Sequence, residues 1–195
     1  MRSLIACCLL ALLFTGACDG TGAKTVKIDK YFDLVSLLDQ QAELLYERGA
    51  RLEKALIANG KEETMIIRPD SAGTLRAEWQ LFYEADINKL GLDDAYYVEE
   101  LPGINGSRKV INTAKKNASN VRMIEYDYEQ ERLRHIRILV QDKNDIYDFE
   151  KEMLLNFDWI DGREMLTSYF ITGKQDMVMK SELEFSLSGK LLLNP

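Results

Sequence analysis

Apolar residues at Phe32, Val35, Leu38, Ala42, Leu45, Leu52 and Leu56 recur at steps that place them on one face of a helix. Asp29 suits an N-cap and Asn59-Gly60 a stop, so the spacing predicts one helix of about 30 residues, ~45 Å long. Leu34, Leu37 and Leu44 widen the stripe beyond a coiled-coil seam, which favours packing on a sheet over pairing with another helix. Pro69-Asp70-Ser71-Ala72-Gly73 then breaks the chain and supplies caps. Leu75, Trp79, Phe82, Ile87 and Leu90 predict a second helix closed by Gly91, with Trp79 and Phe82 as core residues.

Beyond Gly91 the period falls to two. Strands are predicted over residues 96–101 and 109–113, separated by Pro102-Gly103. Ile124, Tyr126 and Tyr128 alternate with Glu125, Asp127 and Glu129, and Ile136, Ile138 and Val140 alternate with His135, Arg137 and Gln141. Tyr147, Phe149, Met153, Leu155 and Phe157 form the apolar side of a further strand, and Asp161-Gly162 predicts a hairpin into residues 166–172. A turn over residues 173–176 is expected to lead into a last strand whose apolar side carries Met177, Met179, Leu183 and Phe185. Short connections force antiparallel neighbours. The expected fold class is therefore α+β: two N-terminal helices, one of them long, on a curved antiparallel β-meander of about six or seven strands.

Ahead of these elements stands a different pattern. Met1-Arg2 provides a basic start, residues 4–14 an apolar run too short to span a bilayer, and Thr15-Gly16-Ala17-Cys18 a small-residue junction ending in cysteine. The junction resembles the lipobox of bacterial lipoproteins, with Thr15 standing where Leu is usual. That resemblance implies cleavage before Cys18 and a diacylglyceryl group on its sulfur. The expected organisation is a signal peptide over residues 1–17, a lipidated Cys18 with a Gly-rich tether through residue 27, and one domain over residues 28–195. The resulting address is the cell envelope, lipid-anchored to a bacterial membrane, the outer one favoured. Asp19, directly after the cysteine, signals inner-membrane retention in some bacteria, so the membrane stays open.

Cys7 and Cys8 leave with the leader and Cys18 carries lipid, so no thiol remains for a disulfide, a metal or catalysis. The formal charge of −7 becomes −8 once Arg2, the only charged residue of the leader, is removed. Such a surface repels nucleic acid and anionic headgroups, which leaves the acyl chains as the membrane attachment and excludes nucleic acid as a partner. The single histidine, His135, falls on the charged side of its strand, which denies the chain a Ser-His-Asp arrangement or a multi-histidine metal site. Spacing selects no catalytic pair from Asp148, Glu150, Glu152 and Asp158, and no phosphate-binding glycine loop or basic aromatic patch is present. No enzymatic activity and no cofactor are expected. Asp70-Ser71-Ala72 resembles a short bacterial O-glycosylation motif, but a helix cap or turn already accounts for the serine.

Residues 79–89, from Trp79 to Lys89, together with Ile171-Thr172-Gly173-Lys174-Gln175, resemble a group of small Gram-negative envelope lipoproteins. The resemblance implies a fold and a location and assigns no activity. Two functions follow as expectations. One is an interaction or accessory module that docks an envelope protein through its sheet edge or outer surface. The other is a carrier of lipid or another hydrophobic ligand in a cavity between sheet and helix, walled by Met153, Phe157, Met177, Met179 and Phe185.

Overall fold

The predicted long helix stops at half its length. Gly49 adopts φ 63°, and around it Arg48 N–H donates to Leu44 C=O, Gly49 N–H to Tyr46 C=O and Ala50 N–H to Leu45 C=O. This closes a helix whose last carbonyls would otherwise be orphaned. The computed structural model describes residues 30–115, 119–144, 146–177 and 183–193; the leader, Cys18, the tether and Met179 lie outside them. Its elements are α1 (Leu34–Glu47), β1 (Arg51–Ala58), β2 (Lys61–Ile67), α2 (Ala72–Glu78), α3 (Gln80–Glu84), β3 (Tyr96–Pro102) and β4 (Ser107–Ala114). They continue with β5 (Val121–Glu129), β6 (Arg132–Lys143), β7 (Tyr147–Ile160), β8 (Arg163–Met177) and β9 (Leu183–Leu192).

The fold is thus largely β, one nine-stranded sheet with three short helices, and not the α+β domain with a long helix that periodicity predicts. Leu52 and Leu56 account for the difference. Four residues apart, they satisfy a helical step, but they equally occupy alternate positions of a strand. In the structure they belong to β1, and Asn59-Gly60, at φ 51° and 73°, forms the tight hairpin turn into β2. The second predicted helix also divides. Trp79 caps both α2 and α3, and the break allows Trp79 and Phe82 to enter the core together.

Strand order is β2-β1-β9-β8-β7-β6-β5-β4-β3, antiparallel throughout. The last strand needs correction too. Residues 173–176 are not a turn but the continuation of β8, which runs to Met177, and β9 begins at Leu183. Gly173 and Gly189 let the two strands keep that length. Tyr169 of β8 is registered opposite Gly189 and Phe185 of β9 opposite Gly173, so each ring lies over a glycine backbone.

One face of the sheet carries Ile124, Tyr126, Ile136, Ile138, Met153, Leu155, Phe157, Tyr169 and Ile171, all buried beneath the helices. Two buried amides attach the helical layer where backbone groups lack strand partners. Asn88 accepts from Tyr31 N–H at 2.9 Å and donates to the carbonyls of Tyr31 and Phe32, which fixes the approach to α1. Gln41 of α1 spans Glu164 and Leu166 of β8 in the same way. The opposite face is a charged lattice: Lys109 pairs with Glu125 and Asp127, and Arg134 with Glu129 and Asp158, each pair contributing a few tenths of a kcal/mol. Glu125 and Asp127 stand opposite Arg137 and His135 in register, the pairing that alternation predicts.

The β5–β6 hairpin turns through Gln130 and Glu131, both at positive φ, 50° and 63°. Asn59-Gly60 and Asp161-Gly162 make the same kind of turn with residues suited to it. Replacing Gln130-Glu131 by Asn-Gly is expected to raise stability by about 1 kcal/mol, measured by urea denaturation, despite losing the exposed Arg108–Glu131 pair.

Candidate functional site

The space between helices and sheet is occupied by Leu75, Trp79 and Phe82 against Met153, Leu155 and Tyr169, all fully buried or nearly so. Among the predicted cavity residues, Met153 and Phe157 are therefore core. Phe185 is half-buried over Gly173, Met177 ends β8, and Met179 lies outside the described residues.

Three clefts open elsewhere. One of about 790 Å³ runs over Leu139, Glu152, Thr172 and Ser186 on the face turned from the helices, and one of about 670 Å³ lies beside it at Asn156, Asp158, Phe170 and Lys190. The third, about 730 Å³, is enclosed by Leu101, Ile104, Arg108, Tyr128, Arg134 and His135. Its cations are already engaged. Arg108 stacks on Tyr128 at 4.0 Å and pairs with Glu100 and Glu131, Arg134 pairs with Glu129 and Asp158, and His135 Nδ1 is 2.8 Å from Asn156 Oδ1. Among the described residues no group of three or more His, Cys, Asp or Glu side chains is placed to hold a metal ion. Asp70 and Ser71 are exposed before α2, where the Ser71 hydroxyl donates to the Asp70 carboxylate and Ser71 serves as the N-cap residue without a side-chain capping bond.

The sheet edges differ from the faces. Among the described residues β3 pairs only with β4, and no strand lies along its other side. Tyr96 turns inward, donating its hydroxyl to Val121 C=O, while Tyr97 and Val98 are 65% and 59% exposed. Leu101, on the same side of the strand as Tyr97, and Ile104, in the following turn, are exposed as well. The start of β3 is also where the chain joins the domain. Tyr31 OH donates to Leu92 C=O and accepts from Tyr96 N–H, and Lys30 sits 3.5 Å from Asp94. Lys115 donates to Asp94 at 2.9 Å and covers the Tyr97 ring at 5.1 Å; that hydrogen bond holds the Asp94 carboxyl below the usual carboxylate range.

Edge position is what the sequence lacks, although Pro102 at the end of a strand-like run carries a signal for it, since proline has no backbone N–H to donate to a ladder. Comparison with protein-family models, with curated proteins and with solved structures finds no match to this chain.

Proposed function

We propose that this protein is a lipid-anchored accessory module of a bacterial envelope, which docks a partner protein by adding a strand along β3. The edge of β3, which has no second strand beside it among the described residues, has exposed Tyr97, Val98, Leu101 and Ile104 near it and lies beside the first described residues at Lys30 and Tyr31, and this supports the reading. An unpaired edge with exposed apolar side chains is a template for strand addition. Glu99 and Glu100 restrict who uses it. In an antiparallel pairing of β3 with its own copy centred on Glu99, two Glu99 carboxylates face one another, which disfavours self-association. A heterologous strand bearing Lys or Arg opposite these acids meets no such penalty.

The leader and lipobox-like junction support the anchor, and no helix among the described residues is long and apolar enough to cross a membrane. Photo-crosslinking in intact cells tests the reading. A crosslinker at Val98 or Glu100 is expected to capture one envelope protein, and one at Gln40, exposed on α1, is expected to capture none. Equal capture at all three positions, or none at Val98 and Glu100, would overturn it. Cys18→Ser is expected to move the protein from the detergent to the aqueous phase of a detergent partition.

A further inference from the structure

The helices do not cover the whole of the face on which they lie. At the end of the sheet formed by the β1–β2 turn, the β6–β7 turn and the far end of β8, one row of registered residues crosses five strands: Val140, Lys151, Gly173, Phe185 and Ala58. The neighbouring row, Ile138, Met153, Ile171, Leu187 and Leu56, passes from sealed core at Ile138, Met153 and Ile171 to an exposed Leu56. Phe149, Val140, Phe185 and Leu187 are half-buried. Together they form an apolar shelf beside the closed core.

In the middle of that shelf stands a lysine. Lys151 is only 8% exposed, yet its ammonium makes neither a hydrogen bond nor an ion pair among the described residues. The Phe149 ring centre lies 5.8 Å from it. Burial lowers the lysine's affinity for its proton, opposed by the charge of Glu84 at the end of α3. Asp142, on the same face two residues along β6, is already committed to Tyr147 OH and Asn120 Nδ2. The contrast with Lys54, on the same face, is instructive, because Lys54 pairs with Glu78 of α2. A mostly buried cation with no hydrogen-bonded or ion-paired anion among the described residues is costly, and an anion brought to it gains a charge-assisted hydrogen bond in a poorly solvated setting.

From this juxtaposition we infer that the shelf binds an anionic amphiphile, its single charged headgroup on Lys151 and its hydrocarbon chain across Phe149, Phe185, Leu187 and Leu56. The site is distinct from the β3 edge and does not depend on a partner protein there. The Lys151 ammonium is not among the polar atoms sealed from water, so a headgroup reaches it without opening the core. A carboxylate of a free fatty acid and a phosphate of a lysophospholipid offer the same chemistry.

The test uses the mature chain, residues 18–195, with Cys18→Ser so that no acyl group of its own competes. Laurate, dodecanol and lauroyl lysophosphatidate are titrated below their micelle concentrations and followed by calorimetry. At least one of the two anions is expected to bind about tenfold or more tighter than dodecanol, the neutral probe of equal chain length. Laurate alone identifies the fatty-acid source, and lysophosphatidate alone the phospholipid source. Lys151→Met is expected to abolish the preference while keeping the wild-type circular dichroism, and Lys151→Arg to retain it. If wild type binds neither anion, or binds anion and alcohol alike, Lys151 only shields apolar surface with its stem and the inference fails. It fails equally if a folded Lys151→Met keeps the full preference.

Discussion

Gly189→Ala is expected to cost the domain about 3 kcal/mol, lowering its melting temperature by about 6–12 °C. A Cβ at this position would stand 2.1 Å from Cε1 and 2.2 Å from Cζ of Tyr169, far inside contact distance. The ring has nowhere to go. Tyr169 is fully buried, edge-on to Phe82 at 5.9 Å between centroids, so relief requires moving α3 or separating β8 from β9. Gly173→Ala provides the control. Its Cβ would meet the Phe185 ring as closely, at 2.2 Å, but Phe185 is half-buried and able to swing outward, so the expected loss is about 1 kcal/mol. Urea denaturation of both variants separates the cases, and equal losses would show that ring confinement does not set the cost. Gly189→Ala combined with Tyr169→Leu should recover part of the deficit, a coupling that independent sites would not display.

The strands were legible because most of them have one wet and one dry side. Ile124-Tyr126 and Ile136-Ile138 alternate with charged residues, and these positions fall on the two faces that alternation assigns them. Asp161-Gly162 announces the turn it makes, while Asn59-Gly60, with the same left-handed geometry, follows a helical pattern and so suggests a helix stop. The deciding residue was Gly49, which ends α1 and turns the following leucines into a strand. β8 is longer than its pattern predicts for a related reason. A glycine near charged residues reads as a turn, and only the three-dimensional register shows Gly173 receiving an aromatic ring. Neither the place of β3 at the sheet's edge nor the position of Lys151 was legible, since both depend on which strands neighbour one another and how far the helices reach. Within the sequence Lys151 is one more charged residue between Glu150 and Glu152. In the fold it points to the opposite face from them, by the same alternation that made the strand recognisable.

Replacing Gln41 by leucine is expected to destabilise the protein by about 3 kcal/mol even though volume and burial are nearly kept. The β8–β9 pairing begins at Ser168 and Lys190, so the backbone of β8 before that point has no strand on this side. The amide of Gln41 takes the strand's place: its Nε2 donates to Glu164 C=O at 3.0 Å, and Leu166 N–H donates to its Oε1 at 2.8 Å. Leucine supplies neither group and leaves a buried donor and a buried acceptor unmatched. Hydrogen exchange at Leu166 should accelerate before global unfolding is reached, because the lost contacts also fasten α1 to the sheet. Gln41→Glu distinguishes lost hydrogen bonds from lost packing. At neutral pH its carboxylate still accepts from Leu166 N–H, but it faces Glu164 C=O and buries a charge, so a loss at least as large is expected. Burial raises the carboxyl's folded-state pKa above its unfolded value, so the deficit is fully present above the folded pKa and shrinks as pH falls below it. Once protonated, the carboxylic acid donates to Glu164 C=O and accepts from Leu166 N–H, restoring the glutamine pattern. The gap to wild type should therefore narrow on acidification for Gln41→Glu and stay constant for Gln41→Leu, and a constant gap in both would refute the strand-mimic role of this amide.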